Sequence, residues 1–222
     1  MGSVGASCWR SVSKGHRPPK GAVHEMIATY GQPQMTSVDV GANVGEIAHV
    51  LARHGPVTCI EPDPRCWEAL RARVPTATVI ESAVGDAPGV CVLFQAENAA
   101  HSSLREGAVD GWATSVSVPV NTLDAIVTQA DLVKIDAQGG EVAILRGAPK
   151  LLASCPVWIF ECWPVGLRAF GDDPLDLVRL CEAAGLSVQW ADGVPCTVDR
   201  LAEWMALDTD KYARHVNLVA VR

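Results

Sequence analysis

The stretch Ser37–Gly45 constrains this chain most, because an apolar segment there runs through a glycine-rich turn into a helix pattern. Val38 and Val40 are strand formers, and Gly41 opens a tight turn. After Gly45 the apolar positions recur at helical spacing, at Ile47, Ala48, Val50 and Leu51. A strand that bends this sharply into a helix leaves backbone N–H groups for a ligand at the helix start. The stretch therefore predicts a cradle for a nucleoside cofactor.

A second apolar strand, Val57–Ile60, ends at Glu61, twenty positions after Gly41. In nucleotide-binding βαβ units, an acidic residue at about this distance holds the ribose hydroxyls. We therefore expect Glu61 and the neighbouring Pro62 to form the ribose side of the cofactor site.

Strand and helix patterns alternate along the chain and predict an α/β fold. Three strand–helix units in succession indicate a mostly parallel, doubly wound sheet, and the last apolar segment fits an antiparallel edge strand. The predicted strands are 36–40, 57–60, 77–81, 90–95, 115–120, 131–136, 156–162, 187–190 and 215–221. The predicted helices are 22–30, 45–53, 64–73, one opening at 121–124, one from 141 that breaks near 147 and resumes at 149, and 176–184.

The chain length of 222 residues fits one well-buried domain. We divide the chain into an N-terminal arm and helix (1–30) and a single domain (31–222), with a hairpin and lid insertion at 90–120. The polar loop at 96–114 is long for a compact domain, and loops of this length usually carry function.

Composition disfavours several classes of protein. The net charge of −7 argues against a nucleic-acid partner, and 49% hydrophobic with 19% charged residues is typical of a globular chain. No apolar run approaches the roughly 20 residues of a membrane helix, and no secretory signal is visible, so we expect a cytoplasmic protein without a membrane partner. The eight cysteines lack CxxC spacing, which favours free thiols and disfavours a metal site. We expect a monomer or a homodimer.

Carboxylates stand at or beside the ends of the predicted parallel strands. They are Asp39, Glu61, the segment Glu81–Asp86, Asp136 and Glu161. Ligands of open α/β sheets bind beyond the carboxyl ends of the strands, so we expect these acids to surround the site.

The glycine turn favours one cofactor class over another. Dinucleotide cofactors normally use GxGxxG, in which the second glycine lets the pyrophosphate approach, but Asn43 occupies that position here. The Asn43 side chain would obstruct a pyrophosphate and could instead bond an amino acid's carboxylate or ammonium. With Asp39 supplying negative charge and Glu61 a ribose partner, S-adenosylmethionine fits best, and a nicotinamide cofactor is the weaker alternative.

Five motifs in order carry a resemblance to a known family. They are VDVGANVG (38–45), IEPDP (60–64), ESAVGD (81–86), VPVNTLD (118–124) and VKIDAQGGEVAILRGA (133–148). Together they resemble the FkbM-type S-adenosylmethionine-dependent methyltransferases over about 36–163. The chain departs from the family at Gln138, where a glutamate is usual, and at Gly140, where a side chain is common.

The resemblance implies a Rossmann-like class I methyltransferase fold and O-methylation of a small-molecule or glycan acceptor, such as a sugar or other secondary metabolite. It implies that the methionine portion of the cofactor faces Asp39, Gly41, Asn43 and Gly45, the ribose faces Glu61, and the adenine lies near Ala83 and Asp86. A serine pair at 102–103 matches the family, and we assign Ser103 to the cofactor.

Several residues are candidates for the chemistry itself. Asp136 could take a proton from an acceptor hydroxyl or hold the ammonium group of the cofactor, and the cofactor-side or substrate-orienting role is favoured because an ordinary carboxylate is a weak base for an alcohol. His101 suits proton transfer near neutral pH, and Glu161 lies beside the expected acceptor pocket. For the acceptor itself we expect contacts from Trp112, Lys134 and Trp163.

Two further interpretations stay open from the sequence. Gln138 raises the possibility of a binding protein that keeps the fold without catalysis, and turnover with any candidate alcohol would exclude it. A nicotinamide-dependent oxidoreductase is disfavoured by Asn43, but tight NADH binding would favour it again.

Overall fold

A computed structural model of the chain describes residues 23–96, 102–104, 112–207 and 215–222. The predicted N-terminal arm before residue 23, His101 and most of the predicted lid lie outside these described residues. The backbone of Trp112 is described but its side chain is not.

The strands form a large central sheet and a separate small sheet. In chain order they are β1 (Ser37–Val40), β2 (Val57–Ile60), β3 (Thr78–Ile80), β4 (Ala83–Val84), β5 (Gly89–Ala96), β6 (Trp112–Asn121), β7 (Leu132–Ile135), β8 (Val157–Cys162), β9 (Ser187–Trp190) and β10 (Val216–Val221). The central sheet has the order β3-β2-β1-β7-β8-β10-β9, and the small sheet has the order β4-β6-β5. The first five strands of the central sheet are parallel, and β10 runs antiparallel to both β8 and β9.

Helices cover both faces of the central sheet. They are α1 (Val23–Tyr30), α2 (Glu46–Leu51), α3 (Pro64–Arg73), α4 (Leu123–Ile126), α5 (Glu141–Arg146), α6 (Pro149–Ser154), α7 (Pro164–Ala169), α8 (Asp176–Ala183) and α9 (Val198–Ala206). The first three pack in one apolar cluster, and α4, α5, α6, α8 and α9 contribute to a second, larger cluster that also holds the buried Trp158 and Phe160 of β8. The doubly wound α/β prediction is therefore confirmed.

The central sheet ends in antiparallel strand pairs, as predicted. β10 is antiparallel as expected, but it lies between β8 and β9, so β9 forms the edge of the sheet. Leu218 and Ala220 pack in one apolar cluster and Val219 in the other, so both faces of β10 are covered, which agrees with the nearly continuous apolar run Val216–Val221. The sequence interpretation also missed β4, α7 and α9.

The topology brings three of the predicted site residues together at the carboxyl ends of neighbouring strands. β1 lies between β2 and β7 in parallel register, so Gly41, Glu61 and Asp136 follow the carboxyl ends of three neighbouring strands. Within the described ranges, no helix combines the length and the apolar character required to cross a bilayer.

Candidate functional site

A cavity of about 450 Å³ opens at the carboxyl ends of β1, β2 and β7, within the size range of ordinary ligand pockets. Its lining has two parts of different chemistry. The polar part includes Asn43, Glu61, Lys134, Asp136 and Gln138, and the apolar part includes Val84, Leu93, Leu104 and Ile144. The cavity thus has charged and polar side chains beyond the ends of β1, β2 and β7, and an apolar wall to which β4 and β5 of the small sheet contribute.

The glycine turn is shaped by a close approach of two strand ends. Gly41 has a φ of +73°, and a Cβ built there would lie 1.8 Å from the carbonyl oxygen of Asp136. Only glycine leaves room for this contact, which holds the turn against the end of β7. Gly45, with a φ of +84°, instead makes room for the side chain of Leu70 in α3.

The N–H groups of Gly41 to Gly45 are bonded within the protein, while the predicted free N–H groups at the start of α2, which has no side-chain cap, stay a prediction. Gly41 and Ala42 donate to the carbonyl of Ile60, Asn43 donates to Glu61 Oε2 at 2.7 Å, Val44 donates to Asn43 Oδ1, and Gly45 donates to the carbonyl of Ala42. A pyrophosphate cradle needs such N–H groups unpaired. The turn therefore lacks the feature that a dinucleotide cofactor would use.

Glu61 joins the glycine turn to the loop that follows β2. Its Oε2 accepts from the Asn43 N–H and its Oε1 accepts from the Asp63 N–H, both at 2.7 Å. A carboxylate offers about four acceptor positions, so each oxygen keeps capacity for a hydroxyl donor. Burial raises the pKa of Glu61 to about 7, against the lowering effect of these backbone donors.

Lys134 lies beneath the turn, with only 4% of its side chain exposed. Its Nζ is 3.1 Å from Asp39 Oδ1 and 3.7 Å from Asp136 Oδ2, and it donates to the Gly41 carbonyl at 3.4 Å. Burial alone would lower the pKa of Lys134, but the neighbouring carboxylates of Asp39 and Asp136 outweigh it and raise the pKa. The ammonium group is therefore permanently charged and already paired.

Asp136 is held from two sides while it faces the cavity. Gln138 Nε2 donates to Asp136 Oδ1 at 2.9 Å, and Lys134 approaches Oδ2. Gln138 itself has a φ of +50°, an uncommon backbone conformation for a residue with a side chain. Since 38% of the Asp136 side chain is exposed, this carboxylate has a fixed orientation and an accessible surface.

Two buried carboxyls stand behind Asp136. Glu141 Oε1 accepts from the N–H groups of Ala137 and Gly139, so this side chain ties down the turn after β7. Burial raises the pKa of Glu141 to about 7. Burial, with repulsion from Asp136 and Glu141, raises the pKa of Glu161 to about 9, which keeps Glu161 protonated near neutral pH.

Seven of the predicted site residues line the cavity. They are Gly41, Asn43, Glu61, Pro62, Ala83, Lys134 and Asp136. Their contacts with a cofactor or an acceptor stay predictions.

Six other predicted site residues lie outside the described lining. Asp39 is fully buried inside β1 against Lys134, and Gly45 packs on α3. Asp86 is exposed beside Gly147, because the chain has already left the cavity after β4. The other three are Ser103, Glu161 and Trp163.

Ser103 forms a backbone bridge with Phe94 and is buried, so its neighbour Ser102 reaches the cavity instead. Trp163 begins α7 and packs over Gly166, where an added Cβ would lie 2.1 Å from the indole ring. Glu161 Oε1 lies 3.8 Å from His215 Nε2, and its part in catalysis stays a prediction.

The sequence interpretation missed a polar network around Asp63 and Arg65, although both lie in or next to the IEPDP motif. The motif was a usable signal for Asp63, but two of its partners, Gln95 and Ser102, lie 32 and 39 positions further along the chain and could not be paired with it from the sequence.

Comparison with known proteins adds a family to this geometry. The methyltransferase FkbM domain matches residues 39–185, more than half of the chain. A hexuronic acid methyltransferase, AglP of Haloferax volcanii, is 26% identical over 161 residues, which are 68% of this chain and 63% of that protein. The matched part of the chain thus spans less than two thirds of that relative's length.

Solved structures share the fold at low sequence identity. Magnesium protoporphyrin IX methyltransferase of Synechocystis PCC 6803, solved with bound SAH, has a TM-score of 0.50 and 14% identity, covering 90% of this chain and 80% of its own. Precorrin-6y C5,15-methyltransferase of Geobacter metallireducens has a TM-score of 0.49 and 14% identity, covering 90% and 87%. The first likeness confirms the predicted Rossmann-like methyltransferase fold.

Proposed function

Because this chain belongs to the FkbM family of S-adenosylmethionine-dependent methyltransferases, we propose that it methylates a hydroxyl group of a small metabolite, sugar or natural product. S-adenosylmethionine is the methyl donor, and its sulfonium supplies an electrophilic methyl group. The chain's own contribution is to bind that donor, orient the acceptor and exclude water from the line between them.

The residues of the cavity fit this donor. Glu61 offers two fixed carboxylate oxygens to a pair of ribose hydroxyls, and the apolar wall of Val84, Leu93 and Leu104 suits a flat base. Asn43 supplies a polar group for an amino-acid tail. The bonded N–H groups of the turn disfavour a pyrophosphate and so support the same choice.

The observation that best supports hydroxyl methylation is the fixed orientation of the Asp136 carboxylate at the cavity. Its carboxylate faces the cavity with a fixed orientation, between Gln138 and Lys134. A carboxylate placed in this way accepts a hydrogen bond from an alcohol and directs the oxygen lone pair toward the methyl group, without fully removing the proton. The relative named as a hexuronic acid methyltransferase supports a sugar as one class of acceptor.

A panel of acceptors tests the proposal. Purified protein is incubated with S-adenosylmethionine and with glycosides, uronides or polyols, and methylated products are located by mass spectrometry and NMR. We expect a methyl ether, and Asp136→Asn should lower kcat about 100-fold because an amide is a poorer acceptor for the hydroxyl proton. Methyl transfer to nitrogen or to a carboxylate would contradict the proposal, and no turnover with any acceptor would favour a binding protein without catalysis.

A further inference from the structure

The segment Ser102–Leu104, called the strap below, forms part of the cavity wall. Ser102 and Leu104 line the cavity, while Ser103 between them pairs with Phe94 through two backbone hydrogen bonds of 2.8 and 3.0 Å. The strap is thus fixed to the edge of the small sheet through its middle residue.

A second attachment holds the strap from the opposite side. Ser102 Oγ donates to Asp63 Oδ2 at 3.2 Å and accepts from Arg65 Nη2 at 3.0 Å. Arg65 Nη1 also donates to the carbonyl of Ala96, at the end of β5. Asp63 in the loop after β2 and Arg65 in the first turn of α3 therefore bond both the small sheet and the strap.

Asp63 is the centre of this arrangement and is only 1% exposed. Besides Ser102, its carboxylate accepts from the N–H of Arg65, the guanidinium of Arg65 and the Nε2 of Gln95. Burial would raise the pKa of Asp63, but the hydrogen bonds from Arg65 outweigh it and hold the pKa below its usual range. Gln95 in turn accepts from Thr114 Oγ1 of β6, so both long strands of the small sheet are tied to this carboxylate.

The same loop carries the carboxylate expected to hold the ribose. The Asp63 N–H donates to Glu61 Oε1, and only Pro62 separates the ribose partner from the residue that anchors the strap. Capping of α3 explains only the bond from the Arg65 N–H to Asp63. The bonds from Arg65 to Ser102 and Ala96 join α3 to other segments of the chain, so helix capping does not explain them.

We propose that Asp63 and Arg65 are positioning residues that hold the strap as one wall of the pocket for the nucleoside part of the cofactor. This role rests on the proposed function, because it assigns the nucleoside to the cavity between Glu61 and Leu104. Arg65 suits the task because its planar group directs Nη2 to Asp63 and Ser102 and Nη1 to Ala96, whereas a lysine would offer a single nitrogen.

Ligand affinity of variants tests this role. Isothermal titration calorimetry is run with S-adenosylmethionine and, separately, with adenosine, which lacks the amino-acid tail. Arg65→Gln should weaken both ligands by the same factor, about tenfold, because the wall touches the nucleoside that they share. Ser102→Ala removes only the hydroxyl group through which the strap bonds Asp63 and Arg65, and it should lower the affinity for both ligands about threefold.

Arg71→Gln is the matched control, since Arg71 lies on the same helix and forms a surface ion pair with Glu81. It should leave both affinities unchanged. If Arg65→Gln fails to fold by circular dichroism, Ser102→Ala decides.

Unchanged adenosine affinity in the folded variants, or a loss for S-adenosylmethionine alone, would overturn the positioning role. Wild-type protein that binds neither ligand would instead overturn the proposed function, and the role of the strap with it.

Discussion

At the scale of single residues, Glu141 illustrates how a carboxyl can serve structure inside a functional region. It is fully buried, and its Oε1 fixes the turn after β7 through two N–H groups. Its pKa is raised from 4.5 to about 7, mainly by burial. A raised acid pKa in the folded state contributes stability below about pH 4.5, and that contribution is lost as the pH rises through about 7.

The pH dependence of unfolding tests this account of Glu141. The free energy of unfolding should fall between pH 5 and pH 8, and Glu141→Gln should reduce that fall by about 2 kcal/mol because the amide keeps an acceptor and never ionises. Urea denaturation at several pH values measures it. Glu68→Gln, on the exposed face of α3, is the control and should leave the slope as in the wild type. An equal slope in Glu141→Gln would contradict the account.

Glu61 makes cofactor affinity depend on pH. Burial raises its pKa to about 7, and ribose hydroxyls donate best to the ionised form. The dissociation constant for S-adenosylmethionine should therefore increase by several-fold as the pH falls from 8 to 6, with proton release on binding near pH 7. Calorimetry in two buffers of different ionisation enthalpy measures the released protons, and Glu61→Gln should abolish them. Identical heats in the two buffers would contradict the prediction.

At the scale of elements, the glycine turn depends on the approach of β1 to β7. Gly41→Ala adds a Cβ that would overlap the Asp136 carbonyl, at a φ of +73° that disfavours a side chain. We expect a loss of about 3 kcal/mol in the free energy of unfolding, and a weaker cofactor affinity because Asp136 must move. Gly89→Ala is the control, since no atom lies within 4 Å of its added Cβ and it should change stability by less than about 0.5 kcal/mol.

Chemical denaturation of the two glycine variants provides the measurement. A Gly41→Ala protein as stable as Gly89→Ala would mean that the two strand ends do not meet as described.

The elements also mark where the sequence was informative. The βα units from β1 to α3 could be predicted, because their apolar runs, turn residues and the proline that opens α3 are local signals. The position of β10 could not, because pairing with β8 and β9 depends on contacts across long stretches of chain. Helix α9 carried a signal that was missed, since Thr197 caps it by accepting from the N–H of Arg200.

At the scale of the whole molecule, parallel topology made the site predictable in outline. The carboxyl ends of the parallel strands β1, β2 and β7 lie side by side. Gly41, Glu61 and Asp136 could therefore be assigned to one cavity from the sequence. Asp39 lies inside β1, fully buried against Lys134 of the neighbouring strand, so its contact with the cofactor stays a prediction. The contacts of Asp63 were not predictable because they arise where the small sheet packs on the large one.

The central claim is that this cavity binds S-adenosylmethionine through Glu61, and calorimetry of the purified wild-type protein and Glu61→Ala tests it most directly. We expect one site with micromolar affinity in the wild type and at least about a tenfold weaker affinity in the variant, since two ribose hydroxyls lose their acceptor. Circular dichroism confirms that the variant is folded. No binding by the wild type, or equal binding by a folded Glu61→Ala protein, would contradict the claim.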